Sequence, residues 1–366
     1  MMVSAFGRSC APAAVRAHRY PRPPSGPYTG TVRQMRLRSP NHMRTTPVAI
    51  ALSSALLVAC ATEPEAPSEE AIPSTIPAEK APSPASFPEV IVAERGGFIP
   101  EGVEYDRTNG RILTGSLSEG SILEIHPDGR VSTVIADPDL VSSVGIEVDE
   151  VRNRLLVANS DRAAFDGSTA GQAELAVYDL TSGDRIVLVD LAAAVTNPPD
   201  DAAYFANDVA VADDGTVYVT DTMLNAVYQV TRDYEASLLL RFDDQTGGPN
   251  GIEVHPAGYL LVARGEELWK IPVRDPSSAA AVTLPAAIPG GDGIVWSAGR
   301  LAIVSNSDSR VVALTSTDDW STAEVAGVAT FETPATTAAV IGDDLYVVHP
   351  TFEGDDPPSV SRVTFQ

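Results

Sequence analysis

From Phe87 to Gln366 polar and apolar residues alternate in short runs, and almost nowhere do they recur at the three- and four-residue spacing of a helix. One unit returns along the chain. It has a polar or small residue, usually Gly or Asp next, a short alternating run, a turn, and then a run rich in Val and Leu that ends in a polar residue. The copies are PEGVEYDRTNGRILTGS, SVGIEVDEVRNRLLVANS, ANDVAVADDGTVYVTDT, PNGIEVHPAGYLLVARG, GDGIVWSAGRLAIVSNS and TTAAVIGDDLYVVHP.

Glu101, Val144, Asn207, Asn250, Asp292 and Thr337 stand at equivalent positions, separated by steps of 43, 63, 43, 42 and 45 residues. A step of this size, built from four short strands, is that of one propeller blade. The pattern therefore predicts an all-β fold, a six-bladed β-propeller with four-stranded blades. The long step holds GSTAGQAE and TNPPDDAAYFA, read as insertions in the connections between blades two and three. The early strand PEVIVAE has no blade of its own and is expected to complete the last blade beside the C-terminal strands, so that the ring has no open edge. An eight-stranded sandwich is the alternative, and six regular repeats argue against it.

In a propeller the first strand of each blade lines the central channel, and all first strands enter from one face. Glu101, Asn207, Asn250 and Asp292 should then meet at the channel mouth. Two carboxylates and two amide oxygens form a hard all-oxygen set that suits Ca²⁺, or another divalent cation, better than Mg²⁺ with its strict octahedron. Zinc is disfavoured: the domain has no Cys, and its three His fit no zinc-ligand spacing. The plainer reading of each residue is a turn former that satisfies nearby backbone groups. Four such side chains at equivalent positions favour the metal. The second strand of each blade returns to the same face, which sets Asn159, Asp221, Arg264, Asn306 and His349 in an outer ring as candidate substrate contacts. In that ring Arg264 could hold an anionic group and His349 could move a proton.

The first 86 residues differ in kind. Residues 1–42 are rich in Arg and Pro without an acidic residue and read as an over-extended start before Met43. Residues 43–60, MRTTPVAIALSSALLVAC, have a basic head and a short apolar stretch ending in small residues and Cys60, like a lipoprotein signal peptide in which Cys60 is lipidated. Residues 61–86 have the Pro, Ala, Glu and Ser composition of a disordered tether. The expectation is an exported lipoprotein on the periplasmic face of the outer membrane, held there by its lipid anchor only. The other cysteine, Cys10, precedes this signal, so the domain has neither a disulfide nor a thiol nucleophile. The formal charge is −24, and −32 without residues 1–59, which carry eight Arg and no acid. Such a surface repels nucleic acid.

PEG at 100–102, AND at 206–208, PNG at 249–251 and GDG at 291–293 resemble the senescence marker protein, gluconolactonase and luciferin-regenerating enzyme family, close in fold and site to the paraoxonases and squid-type phosphotriesterases. The resemblance runs from Phe87 to Gln366 in blade order. It implies a six-bladed propeller that binds Ca²⁺ or another divalent ion and hydrolyses lactones or related esters. Glu101, Asn250 and Asp292 match the family's core metal ligands, and Asn207 matches a further Asn at metal or substrate. Two departures stand out. The family often has an Arg shortly before the third-blade Asn-Asp, where this chain has Tyr204-Phe205-Ala206, and the second strand of blade four ends in Arg264-Gly265 without the usual acidic and aromatic residues.

For a hydrolase, Asp292 is the expected general base, with His349 as second candidate. A GxSxG elbow, P-loop, HExxH or Rossmann glycine pattern is missing from the sequence, which removes support for those chemistries. The expected partner is a small-molecule substrate, and the expected state is a monomer. Two readings compete: a non-catalytic lipid-anchored propeller that binds a small ligand or protein partner around a closed cation site, and a propeller without metal whose anchors only cap their strands.

Overall fold

In the computed structural model the described residues are 87–366, Gln245 aside. The signal segment, Cys60 and the tether lie outside them. All regular structure among the described residues is strand and short 3-10 turn. Strand β1 (Val90–Val92) precedes a meander of β2 (Pro100–Asp106), β3 (Arg111–Ser116), β4 (Ile122–Ile125) and β5 (Val131–Ile135). A second meander has β6 (Ser142–Asp149), β7 (Arg154–Ser160), β8 (Gly171–Asp179) and β9 (Arg185–Asp190), and a third has β10 (Tyr204–Val211), β11 (Val217–Asp221), β12 (Ala226–Val230) and β13 (Ala236–Arg241). Then come β14 (Pro249–His255), β15 (Tyr259–Arg264), β16 (Glu267–Pro272) and β17 (Ala280–Ala281), followed by β18 (Gly291–Ser297), β19 (Arg300–Ser305), β20 (Arg310–Thr315) and β21 (Glu324–Thr330). The chain ends with β22 (Ala338–Ile341), β23 (Asp344–His349) and β24 (Ser359–Arg362).

The fold is an all-β propeller with four-stranded blades. Six separate blades were expected, and the hydrogen bonding corrects that: four sheets are discrete four-stranded blades, while the second and third meanders join into one eight-stranded sheet. The cause is a short parallel pairing of β10 with β8, Tyr204 opposite Gly171 and Phe205 opposite Gln172. The six inner strands nevertheless follow one another around a closed circuit, β2 beside β6, then β10, β14, β18, β22 and back to β2. The last blade is closed as expected, β1 pairing antiparallel with β24 at Val90↔Ser361 and Val92↔Ser359. This removes the edge that a linear stack would expose.

The core is divided into clusters between neighbouring meanders. Leu156 and Leu175 pack with Val219 and Tyr228, for example, and Leu261 with Ile303. Middle strands are therefore covered on both faces. β7 and β11 are buried at every residue, which is why their sequences lose the alternation of a half-exposed strand. Each fully buried Leu or Val contributes ~1.5–3 kcal/mol relative to leaving it exposed, so burial takes the place of disulfides in opposing the chain entropy.

The insertion GSTAGQAE is placed differently from the expectation. It lies inside the second meander, where a 3-10 turn at Arg162–Asp166 and the following loop connect β7 to β8, and its last four residues are already strand. TNPPDDAAYFA does connect the second and third meanders, and its last three residues open β10.

Candidate functional site

The residues at the starts of the inner strands sit in a repeated irregularity. In five of the inner pairs the register slips between Pro100 and Val103, Ser143 and Ile146, Ala206 and Val209, Pro249 and Ile252, and Gly291 and Ile294. Each slip spans one anchor and the residue after it. Bulges of this kind re-aim a side chain, here into the mouth of the channel. The residue after the anchor is Gly in four of the five because the next inner strand comes too close for a side chain. A Cβ on Gly145 would lie 2.5 Å from the Asn207 carbonyl oxygen, and one on Gly102 would lie 2.6 Å from that of Val144. In the third meander Asp208 takes this place, and its Oδ2 accepts from the Ile252 N–H at 3.1 Å across the gap.

The bulges carry the four predicted ligands at equivalent positions of the inner strands, with Glu101 near enough to Asp292 for their charges to repel. Glu101, Asn207 and Asp292 are buried, and Asn250 is half-buried. Burial, and then repulsion from Asp292 and Asp208, raises the Glu101 carboxyl well above its ordinary range. Burial and Asp208 do the same to Asp292, opposed by a hydrogen bond from the Asn250 side chain. Among the described residues five buried side-chain polar atoms lack a hydrogen-bond partner. Two of them are carbonyl-type oxygens, Asn207 Oδ1 and Asp292 Oδ1. A buried acceptor without a donor is costly unless a cation serves it. The donor set therefore fits a hard divalent ion. No group of three His, Cys, Asp or Glu able to hold a metal occurs among the described residues, so any such site depends on the two amides.

Deeper in the channel a second layer was missed by the sequence reading. Glu104, Glu147, Asp208 and Glu253 line a cavity of about 20 Å³, room for a single water. Burial pushes Glu104 and Glu253 up to about 8, Asp208 to about 7, and Glu147 well above its ordinary value. The signal was present: Glu stands three residues after the anchor in EGVE, VGIE and NGIE.

The outer ring turns mostly inward to the protein. Asn159 accepts from the Val141 N–H at 2.8 Å and donates to the Asp139 carbonyl and Glu174. Asp221 accepts from the Phe205 and Leu224 N–H groups and from the Tyr228 hydroxyl, and burial raises it to about 6. Arg264 is 1 % exposed. Its guanidinium donates to Asn225 Oδ1 at 3.1 Å, to Thr246 Oγ1 at 3.0 Å and to Asp244, and it lies 4.2 Å over the Phe242 ring. These three side chains, expected to contact substrate, have hydrogen-bonding groups engaged with neighbouring strands and loops of the protein itself. Asn306 donates to the Ala335 carbonyl at 3.0 Å. His349 differs. Its Nδ1 lies 3.0 Å from the Pro334 carbonyl, which can only accept, so Nδ1 carries the proton and Nε2 is the basic nitrogen. Burial lowers its pKa, which keeps the ring neutral near pH 7.

No family model matches the chain, and no curated protein matches it. Solved structures share its fold. The major allergen Mala s 1 of Malassezia sympodialis is 16% identical with a TM-score of 0.63, over 76% of this chain and 97% of that one. A gluconolactonase of Xanthomonas campestris is 17% identical at a TM-score of 0.51, over 74% and 87%. A luciferin-regenerating enzyme is 12% identical at 0.53, over 75% and 95%. These neighbours match the family suggested by the PEG, AND, PNG and GDG motifs, and at such identities the likeness is one of fold.

Proposed function

We propose that the channel mouth is a divalent-cation site, Ca²⁺ for preference, and that the protein hydrolyses lactones or related esters there. In this reading the eight-stranded sheet counts as two blades, giving six around the channel. The observation that carries it is the pair of buried, unpartnered oxygens, Asn207 Oδ1 and Asp292 Oδ1, at equivalent bulges beside Glu101 and Asn250. Fold alone would not choose a function, because propellers host many. The gluconolactonase neighbours and the four motifs incline the choice to hydrolysis.

Glu101, Asn207, Asn250 and Asp292 would hold the ion. When bound it would polarise a substrate carbonyl and lower the pKa of a water. The chain supplies the rest. Asp292 accepts the proton of the attacking water. His349 Nε2 is the second basic group at the mouth, fixed in its tautomer by the Pro334 carbonyl. Asn159, Asp221 and Arg264 hold the surrounding loops in place.

The test is a calorimetric Ca²⁺ titration of the protein beside Glu101→Gln and Asp292→Asn, followed by a screen of lactones and esters. One ion per chain, lost in both variants, together with hydrolysis supports the reading. Binding without hydrolysis of any lactone or ester would leave the non-catalytic propeller. Binding indifferent to both substitutions would overturn the site.

A further inference from the structure

An asparagine at a cation site has two ends of nearly equal shape and opposite use. Oδ1 can ligate a cation, whereas the Nδ2 amide group donates hydrogen bonds and repels it. Something must decide which end faces the ion. For Asn207 the deciding contact is visible. Its Nδ2 donates to Thr222 Oγ1 at 2.8 Å, and Thr222 Oγ1 donates its own proton to the Pro249 carbonyl oxygen at 2.8 Å.

A carbonyl only accepts, so the single proton of the Thr222 hydroxyl is committed to Pro249. Toward Asn207 the hydroxyl can then only accept, and only the Nδ2 end can donate to it. Reversing the amide would set Oδ1 against Oγ1, two acceptors without a proton between them. Oδ1 is thereby turned away from Thr222, where it is buried without a partner. Asn207 is 5 % exposed, so water does not offer the amide an alternative.

The same threonine also fixes its neighbour. Pro249 immediately precedes Asn250, and two residues back along the chain Thr220 Oγ1 donates to the Asn250 carbonyl oxygen at 2.6 Å. The approach is tight: a Cβ on Gly248 would lie 2.0 Å from the Thr222 carbonyl oxygen. The start of the Asn250 strand is thus pinned to the same turn that orients Asn207.

We propose that Thr222 is a positioning residue that turns the Asn207 amide oxygen into the mouth and sets its place relative to Asn250; this rests on the reading of the mouth as a cation site. Thr222 does not itself belong to the donor set. It acts through the proton on its hydroxyl, and the sequence TDT gives no hint of this beyond a turn.

The experiment compares calorimetric Ca²⁺ affinity of the wild-type protein with Thr222→Val, Thr222→Ala and Thr222→Ser, with cation-free melting followed in parallel. Partners of this kind change metal affinity by about 10- to 100-fold, so Val and Ala should each lose about tenfold or more while Ser stays within about threefold. In an Asn207→Asp background both ends of the side chain are oxygens and there is no wrong end to present. There Thr222→Val should cost much less than in the protein that keeps Asn207, a coupling that a merely destabilised fold would not produce. If wild-type protein fails to bind Ca²⁺, the cation reading falls and this inference with it. If wild-type protein binds and the Val and Ala variants bind equally well, or Val costs as much in the Asn207→Asp background, the role of Thr222 is overturned while the site stands.

Discussion

Gly251 lies so close to Asp292 that a Cβ placed on it would come within 2.3 Å of the Asp292 carbonyl oxygen and 2.7 Å of the Ile294 nitrogen. Both obstacles are backbone, which cannot swing aside like the tip of a long side chain. Replacing Gly251 by Ala must therefore push two inner strands apart at the bulge that carries Asn250 on one side and Asp292 on the other. The expected cost is about 1–3 kcal/mol of stability, the usual range for overpacking. Because the displaced strands carry two of the proposed ligands, Ca²⁺ affinity should fall together with the denaturation midpoint. A Gly251→Ala protein with unchanged Ca²⁺ affinity would show that the bulges do not set the site.

Most anchors were legible because the bulge leaves a local trace: a glycine follows four of the five, and EG, VG, NG and DG record it in the chain, while Asn207 is followed by Asp208. Closure by β1 was legible for a related reason, since an orphan strand at one end must pair with the other. The merging of the second and third meanders was not legible, because it rests on two residue pairs between β8 and β10 that no periodicity marks. The loop after β7 was misplaced because, in antiparallel meanders, an insertion between strands two and three emerges on the same face as one between blades. Asn159, Asp221 and Arg264 were correctly put at the mouth-side ends of their strands, but their partners, Asp139, Tyr228 and Asp244, come from segments whose course depends on the whole fold.

The channel carboxyls make stability depend on pH. Glu104 and Glu253 are half-exposed to the narrow channel but surrounded by protein, and burial raises both from 4.5 to about 8. Between those values the folded protein holds protons that the unfolded chain has released, so stability falls as pH rises. This contribution is complete below about pH 4.5 and lost as pH passes 8. In EDTA the melting temperature should therefore decline from about pH 5 to about pH 9 along a slope that Glu104→Gln combined with Glu253→Gln makes shallower. An equal slope in the double variant would place the effect elsewhere.

Arg264 is expected to matter for the fold rather than for substrate contact. Removing its guanidinium in Arg264→Met leaves Asn225 Oδ1 without its donor and Asp244 without its ion pair, and gives up the stacking on Phe242. Leaving the buried Asn225 oxygen unpaired costs about 1–3 kcal/mol, whereas the Asp244 side chain is 48% exposed and returns to water with little loss. Asp244→Asn should cost less than Arg264→Met, since the amide retains one acceptor and the exposed side chain stays solvated. Denaturant midpoints of the two variants decide this. If Arg264→Met leaves stability intact and selectively raises KM for an anionic substrate, the guanidinium has the substrate role first assigned to it.

The loop between β7 and β8 sets an aromatic side chain beside the mouth. Phe165 is 59% exposed, and its ring meets that of Phe205 edge-on with centroids 4.6 Å apart. Phe205 lies two residues before Asn207, on the strand that carries this proposed ligand into the channel. An exposed ring so placed offers apolar surface to a substrate without touching the donor set. Phe165→Ala should leave Ca²⁺ affinity unchanged and raise KM for an ester or lactone with an apolar body by about fivefold, equivalent to ~1 kcal/mol of lost apolar contact. For a small polar lactone KM should not move, since such a molecule has too little apolar surface to reach the ring. If both substrates respond equally, Phe165 acts by holding the loop, and if neither does, the loop takes no part in recognition.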